Sequence, residues 1–272
     1  MSARLHPESL HSGKKRMELD ILVIFLLCLV YFCSGFIDSI AGGGGLLATP
    51  AFLLAGVPPD AVLGTNKMIA SLGTASSLIT YARSGMVLWK LAAVGLPASL
   101  LGGFMGTRTL LLFSNASIGK IIVILLPFGI IATLAPKKLS KDTTSELTPL
   151  QLYVLTPLIC WAVSFYAGFF GPGSGSFFIL ALHYGLGLGL VQAAGSNKLF
   201  NLASSVGALY VFILNGKVLF SLVLPMAACC IAGNILGSTA AVRTGSDLVR
   251  KVLRFSLSLL FISLVWKFFL RG

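Results

Sequence analysis

Gly64-Thr65-Asn66-Lys67 and Gly195-Ser196-Asn197-Lys198 are near-copies of one another, 131 positions apart, and each opens a long apolar segment. Aligned at that offset, residues 64–106 and 195–237 share Gly64, Asn66, Lys67, Leu78, Gly85, Val87, Leu88, Leu91, Gly102 and Gly106, the last two meeting Gly233 and Gly237. Just upstream, Phe36-x-Asp38-x-x-x-Gly42-x-Gly44 meets Phe165-x-Ala167-x-x-x-Gly171-x-Gly173 at an offset of 129. The chain therefore reads as a tandem repeat. Its repeated lysine is the informative part. A lysine at the centre of a bilayer costs about 2.5–3.5 kcal/mol on insertion scales, so a duplicated one calls for a use, most simply holding an anion.

Composition places that repeat in a membrane. Of 272 residues, 56% are apolar and only 10% charged, far from the quarter-charged make-up of a soluble domain. From Leu147 to Asn197 no side chain is formally charged, a run long enough to cross a hydrocarbon core of about 30 Å and turn back. The net charge of +12 falls in clusters that flank apolar segments rather than along one polar face, which argues against a nucleic-acid partner. Arg4, Lys14, Lys15 and Arg16 precede the first apolar run and predict a cytoplasmic N-terminus. A basic start followed by Ile21–Cys33 also has the form of a signal peptide, but its counterpart at Leu150–Phe165 is internal, which favours a retained span. Cys28, Cys33, Cys160, Cys229 and Cys230 lie in apolar runs with neither zinc-type spacing nor a disulfide framework, and read as packing residues. No metal or cofactor is expected.

The expected organisation is an N-terminal tail (1–19), a first membrane repeat (20–135), a polar linker (136–149) and a second repeat (150–272), forming one integrated unit. Each half shows a long helix (20–41; 150–170), a short apolar piece after a glycine cluster (44–56; 174–190) and three further long segments. The first short piece, framed by Gly45 and Gly56, falls well below the roughly 20 residues of a straight span. A re-entrant or broken helix fits it better. The expected fold is an all-α polytopic membrane protein of two tandem repeats, with about eight full crossings plus two short re-entrant helices. Five crossings per half make the repeats inverted and four make them parallel. The charge bias favours eight in total, although Arg243, Arg250, Lys251 and Arg254 then fall on the wrong side.

Gly42-Gly43-Gly44-Gly45 and Gly171-Pro172-Gly173-Ser174-Gly175 each end a long helix and open a short one. Bare backbone at membrane depth is tolerated only where protein or a water-filled cavity surrounds it, and a helix N-terminus attracts an anion. Thr65 and Ser196 are placed to cap the next helices, each with its lysine in the first turn. Four helix starts with Lys67 and Lys198 are thus expected to converge on one negative ligand, beside Asn66, Asn197 and Asn201. Close packing through small residues competes as a reading of the glycines, and snorkelling competes for the lysines. Neither glycine run is a P-loop or a dinucleotide fingerprint. Asp38 is the one acid well inside an apolar segment. Two roles are open to it: binding a coupling proton or cation, or neutralising Lys67 or Lys198. His183, alone in an apolar run, reads as structural, and Trp89, Trp161 and Trp266 read as interfacial.

Gly35-Phe-Ile-Asp-Ser-Ile-Ala-Gly-Gly-Gly-Gly45, Gly64-Thr-Asn-Lys67, Gly168-Phe-Phe-Gly-Pro-Gly-Ser-Gly175 and Ser196-Asn-Lys-Leu-Phe-Asn201 together resemble the signature blocks of the TauE/SafE family of membrane anion exporters. The likeness runs from about Ile21 to the end of the chain. It implies export of sulfite or of organosulfonates such as sulfoacetate. Family sequences often carry an acid before the second glycine block, where this chain has Tyr166-Ala167-Gly168, so Asp38 lacks a twin. The expected function is a secondary transporter exporting a small anion across a bacterial inner membrane, by alternating access around a site built from both repeats. A passive anion channel is the nearer alternative. An integral membrane enzyme is the more distant one, since the chain has no HExxH, no inward pair of acids and three histidines. The implied partners are a small anionic substrate and the bilayer, with a homo-oligomer allowed.

Overall fold

The computed structural model describes residues 21–114, 117–118, 147–252 and 255, and among these described residues proline and glycine divide the apolar sequence into eight main helices. They are α1 (Ile21–Ala41), α2 (Gly45–Leu54), α3 (Pro59–Arg83), α4 (Trp89–Leu110), α5 (Thr156–Phe169), α6 (Ser174–Leu186), α7 (Leu190–Leu214) and α8 (Phe220–Thr244). A π-helical turn over Gln151–Leu155 extends α5 at its start. The described residues contain no strand. The expected tail 1–19, most of the linker 136–149, and the ends of both expected repeats (119–135 and 256–272) lie outside them, so the count of crossings does too.

Local chemistry sets the helix lengths. Pro59 opens α3, where its missing N–H is no loss and its fixed φ suits the first turn. The short helix α6 is bracketed by Gly173 at φ +80° and Gly187 at φ +72°, left-handed backbone that only glycine adopts without strain. With 10 residues, α2 rises about 15 Å, half the thickness of a hydrocarbon core. Among the described residues, four segments are long and apolar enough to cross a membrane: Ile21–Ala41, Gln151–Phe169, Leu190–Leu214 and Phe220–Thr244. Large apolar side chains stand exposed on the outside of the bundle, among them Phe25 and Leu29 on α1, Leu101 and Met105 on α4, and Leu224 and Leu236 on α8. Such a surface suits lipid and not water. The chain is a multi-pass helical membrane protein.

Glycine lets the long helices touch backbone to backbone. On α4, a Cβ at Gly102 or Gly106 would collide with the carbonyl of Trp161 or Phe165 on α5; on α8, one at Gly233 or Gly237 would collide with the carbonyl of Phe32 or Phe36 on α1. These two contacts join positions that are counterparts in the repeat alignment, and they are the small-residue packing expected between membrane helices. In both, the residue numbers rise together along the two partners, so the paired helices run the same way. The central helices do the opposite. Gly64, near the start of α3, abuts Lys217 just beyond the end of α7, and Gly195, near the start of α7, abuts Met86 just beyond the end of α3. Two buried clusters fill the spaces around this crossing, one on Tyr31, Phe52, Ile69 and Phe212, the other on Tyr81, Phe178, Leu182 and Phe200.

Gly106→Val and Gly237→Val are each expected to lower stability by about 1–3 kcal/mol through overpacking, read as a lower melting temperature of the detergent-solubilised protein. Leu224→Ala, at a side chain 80% exposed, is expected to leave the melting temperature unchanged.

Candidate functional site

The two glycine blocks meet each other at the middle of the bundle. A Cβ on Gly42 would stand 2.5 Å from the Cα of Gly175, and a Cβ on Gly175 the same distance from the Cα of Gly42. Beside them, a Cβ on Gly45 would lie 3.2 Å from the Cα of Pro172, so α2 and α6 begin side by side. Only these two helix starts converge, and not the four expected. The reason is that α3 begins at Pro59 and α7 at Leu190, six residues ahead of Thr65 and Ser196, because Pro59 and the extended Gly189 (ψ 147°) set the N-termini there. Thr65 and Ser196 are therefore not the N-caps of their own helices, and Lys67 and Lys198 sit in the third turn, not the first. Each hydroxyl instead caps a helix of the other half. The Thr65 Oγ1 accepts the Leu219 N–H at 2.9 Å, ahead of α8, and the Ser196 Oγ accepts the Leu88 N–H at 3.1 Å, ahead of α4.

The lysines cross between the halves in the same reciprocal way. Lys67 Nζ on α3 donates to the Ala167 carbonyl of α5 at 3.0 Å. Lys198 Nζ on α7 donates to the Asp38 carbonyl of α1 and lies 3.2 Å from the Asp38 carboxylate. Residues 38 and 167 are counterparts, so the backbone contacts match while the side chains do not. Lys198 is fully buried and paired with an acid. Lys67, 9% exposed, takes part in none of the three ion pairs among the described residues. The asparagines differ too. Asn66 accepts from the Tyr31 hydroxyl at 3.1 Å and donates to Thr49 Oγ1 at 3.3 Å. Asn197 is fully buried with neither amide atom paired, because the counterparts of Tyr31 and Thr49 are Cys160 and Phe178.

A cavity of about 50 Å³ opens where these groups meet. One water needs roughly 10–15 Å³ by this measure, so the space suits an ion of a few heavy atoms. Of the residues expected at the site, Asp38, Gly42, Gly45, Asn66, Lys67, Gly171, Pro172, Gly173, Ser174 and Asn201 line it. Gly43, Gly44, Thr65, Gly175, Ser196, Asn197 and Lys198 do not. The Gly173 N–H at the cavity wall has no hydrogen-bond partner among the described residues. Thr74 and Ser205, which also line the cavity, were not expected there. They are counterparts at the offset of 131, so pairing the hydroxyls in the repeat alignment would have revealed them. His183 lies elsewhere, its Nδ1 at 2.6 Å from the Leu188 carbonyl at the end of α6. Among the described residues no group of His, Cys, Asp or Glu is arranged to hold a metal ion.

Because each cap hydroxyl is the acceptor of one orphan helix N–H, Thr65→Val and Ser196→Ala are each expected to cost about 1 kcal/mol. Sharing no partner, the two losses should add in the double variant, as measured by thermal unfolding in detergent.

The profile of the family described as "Sulfite exporter TauE/SafE" matches residues 27–264. The chain is 36% identical over 245 residues to a protein of Sinorhizobium sp. named "Probable membrane transporter protein ORF9", covering 87% of this chain and 90% of that one. It is 34% identical over 236 residues to a "Probable membrane transporter protein" of Haemophilus influenzae, with 86% and 91% covered. To the "Probable membrane transporter protein YfcA" of Escherichia coli K12 it is 33% identical over 233 residues, with 85% and 86% covered. No solved structure matches the chain. With the profile spanning most of the sequence and both glycine blocks and both lysine motifs inside it, the chain belongs to the TauE/SafE family.

Proposed function

We propose that this protein is a secondary transporter that carries a small anion, sulfite or an organosulfonate, outward across a bacterial inner membrane, with its N-terminus in the cytoplasm. The observation that carries the reading is Lys67: a buried ammonium without a carboxylate partner among the described residues, on a cavity flanked by the starts of α2 and α6. In a low-dielectric site such a charge favours a negative ligand. The family description and the names of the relatives support transport; the chemistry of the cavity supports an anion. Asp38, held by Lys198, takes the ion-pair role of the two open to it.

Alternating access follows from treating the halves as inverted repeats, the arrangement of five crossings per half and not the parallel one that the charge bias favours. Three features support that relation: the opposed directions of α3 and α7, the exchanged hydroxyl caps, and the exchanged lysine-to-carbonyl bonds. In the present arrangement the cavity receives Lys67 from α3 and excludes its counterpart Lys198 on α7. Two halves in unlike states around one site are what rocking-type transport uses, each half adopting the other's state in turn. Both halves would then present the site to opposite sides of the membrane.

In proteoliposomes loaded with sulfite, sulfoacetate or sulfate, the wild type is expected to give selective flux that external substrate accelerates, and Lys67→Ala to lower it at least tenfold. Flux unaffected by Lys67→Ala would sink this reading, while unitary currents would replace the carrier with a channel. The two lysines should also separate by stability. Lys198→Ala strands the Asp38 carboxylate and is expected to cost about 3–5 kcal/mol, whereas Lys67→Ala strands only the Ala167 carbonyl and is expected to cost less, about 1–3 kcal/mol.

A further inference from the structure

We infer that the cavity holds one anionic group of a single negative charge, seated on Lys67 in the place that a carboxylate on residue 167 would occupy. The inference rests on the anion reading above and specifies where in that site the charge lies. Its basis is the internal comparison of the two halves. Lys198 already has its anion: the carboxylate of Asp38, carried on the same residue whose carbonyl the ammonium grips. Lys67 grips the carbonyl of Ala167 at 3.0 Å in the equivalent way, but the residue ends at a methyl group. Ala167 and Lys67 both line the cavity, so the volume a longer side chain would fill is part of the open space. One half carries a tethered counter-ion, and the other half leaves its place to a mobile one.

Charge balance limits the ligand. Lys67, Lys198 and Asp38 sum to a single positive charge. The partial charges of the helix ends largely cancel, because two helix starts (α2, α6) and two helix ends (α1, α5) face the same region. A univalent group therefore leaves the site neutral. A divalent one leaves a net negative charge away from water, which is costly. The unpartnered Gly173 N–H on the cavity wall is available as a donor to such a group.

The test is equilibrium binding to the full-length protein in nanodiscs, with methanesulfonate as the univalent probe and sulfate as the divalent one, both tetrahedral at sulfur. The wild type is expected to bind one methanesulfonate at least tenfold more tightly than sulfate. Ala167→Asp, which supplies the missing carboxylate, should weaken methanesulfonate at least tenfold, and Asp38→Asn, which adds one net positive charge, should shift preference towards sulfate. A wild type that prefers sulfate, or an Ala167→Asp protein that elutes as a single species and binds methanesulfonate unchanged, overturns the inference and leaves anion transport standing. Failure of the wild type to bind any anion in the panel overturns both. The wild-type preference is decisive even where a variant does not fold.

Discussion

Each half of this protein is held by a lysine that belongs to it and a carbonyl that belongs to the other. An ammonium buried in a membrane protein cannot remain unbonded, and the backbone at the end of a long helix has acceptors to give. Lys67 on Ala167 and Lys198 on Asp38 satisfy both needs at once. The consequence is geometric. To reach those carbonyls, α3 must pass the end of α5, and α7 the end of α1, which brings the two glycine blocks into contact at Gly42 and Gly175. The cavity exists because that contact is close but incomplete. Its polar wall comes from the helix breaks, and its charge comes from Asp38 and from Lys67, which joins no ion pair among the described residues.

Part of this was legible in the sequence, because the offset between the two lysine motifs also separates helix limits. The boundaries of α3 and α7, and the starts of α4 and α8, fall 131 residues apart, the offset read from the two lysine motifs. Helix α1 and the short helix α2 fall within two residues of their expected limits, and α6 starts where expected but ends four residues short, because glycine punctuates them. The placement of Thr65 and Ser196 was not legible. Local pattern makes a hydroxyl two residues before a lysine an N-cap, whereas the Pro58-Pro59 pair begins α3 earlier, and the N–H groups those hydroxyls accept lie 154 and 108 residues away. Nor was the inequality of the lysines fully visible. The sequence shows that Asp38 has no twin, but two lysines compete for it, and only the fold decides that Lys198 takes the carboxylate.

The correspondence between the stretches aligned at offsets of 129 and 131 lies in the main chain more than in the side chains. Backbone carbonyls, glycine contacts and hydroxyl caps correspond between halves, while the side chains around them have diverged: Asp38 against Ala167, Asn66 with two partners against Asn197 with none, Tyr81 bonded to the Ser39 carbonyl at 2.9 Å against Phe212. This division has a physical basis. Main-chain positions fix how helices cross and tolerate little change, whereas polar side chains in a cavity set which ligand is bound and vary at smaller structural cost.

The contact between Gly42 and Gly175 at the centre of the molecule is made of main chain alone. A gate formed by a side chain opens when that side chain changes rotamer, on the scale of picoseconds to nanoseconds. No rotamer exists at a glycine. Separating Gly42 from Gly175 requires α1, α2, α5 and α6 to shift as bodies, a motion of microseconds to milliseconds, so side-chain fluctuations a thousandfold faster leave the contact intact.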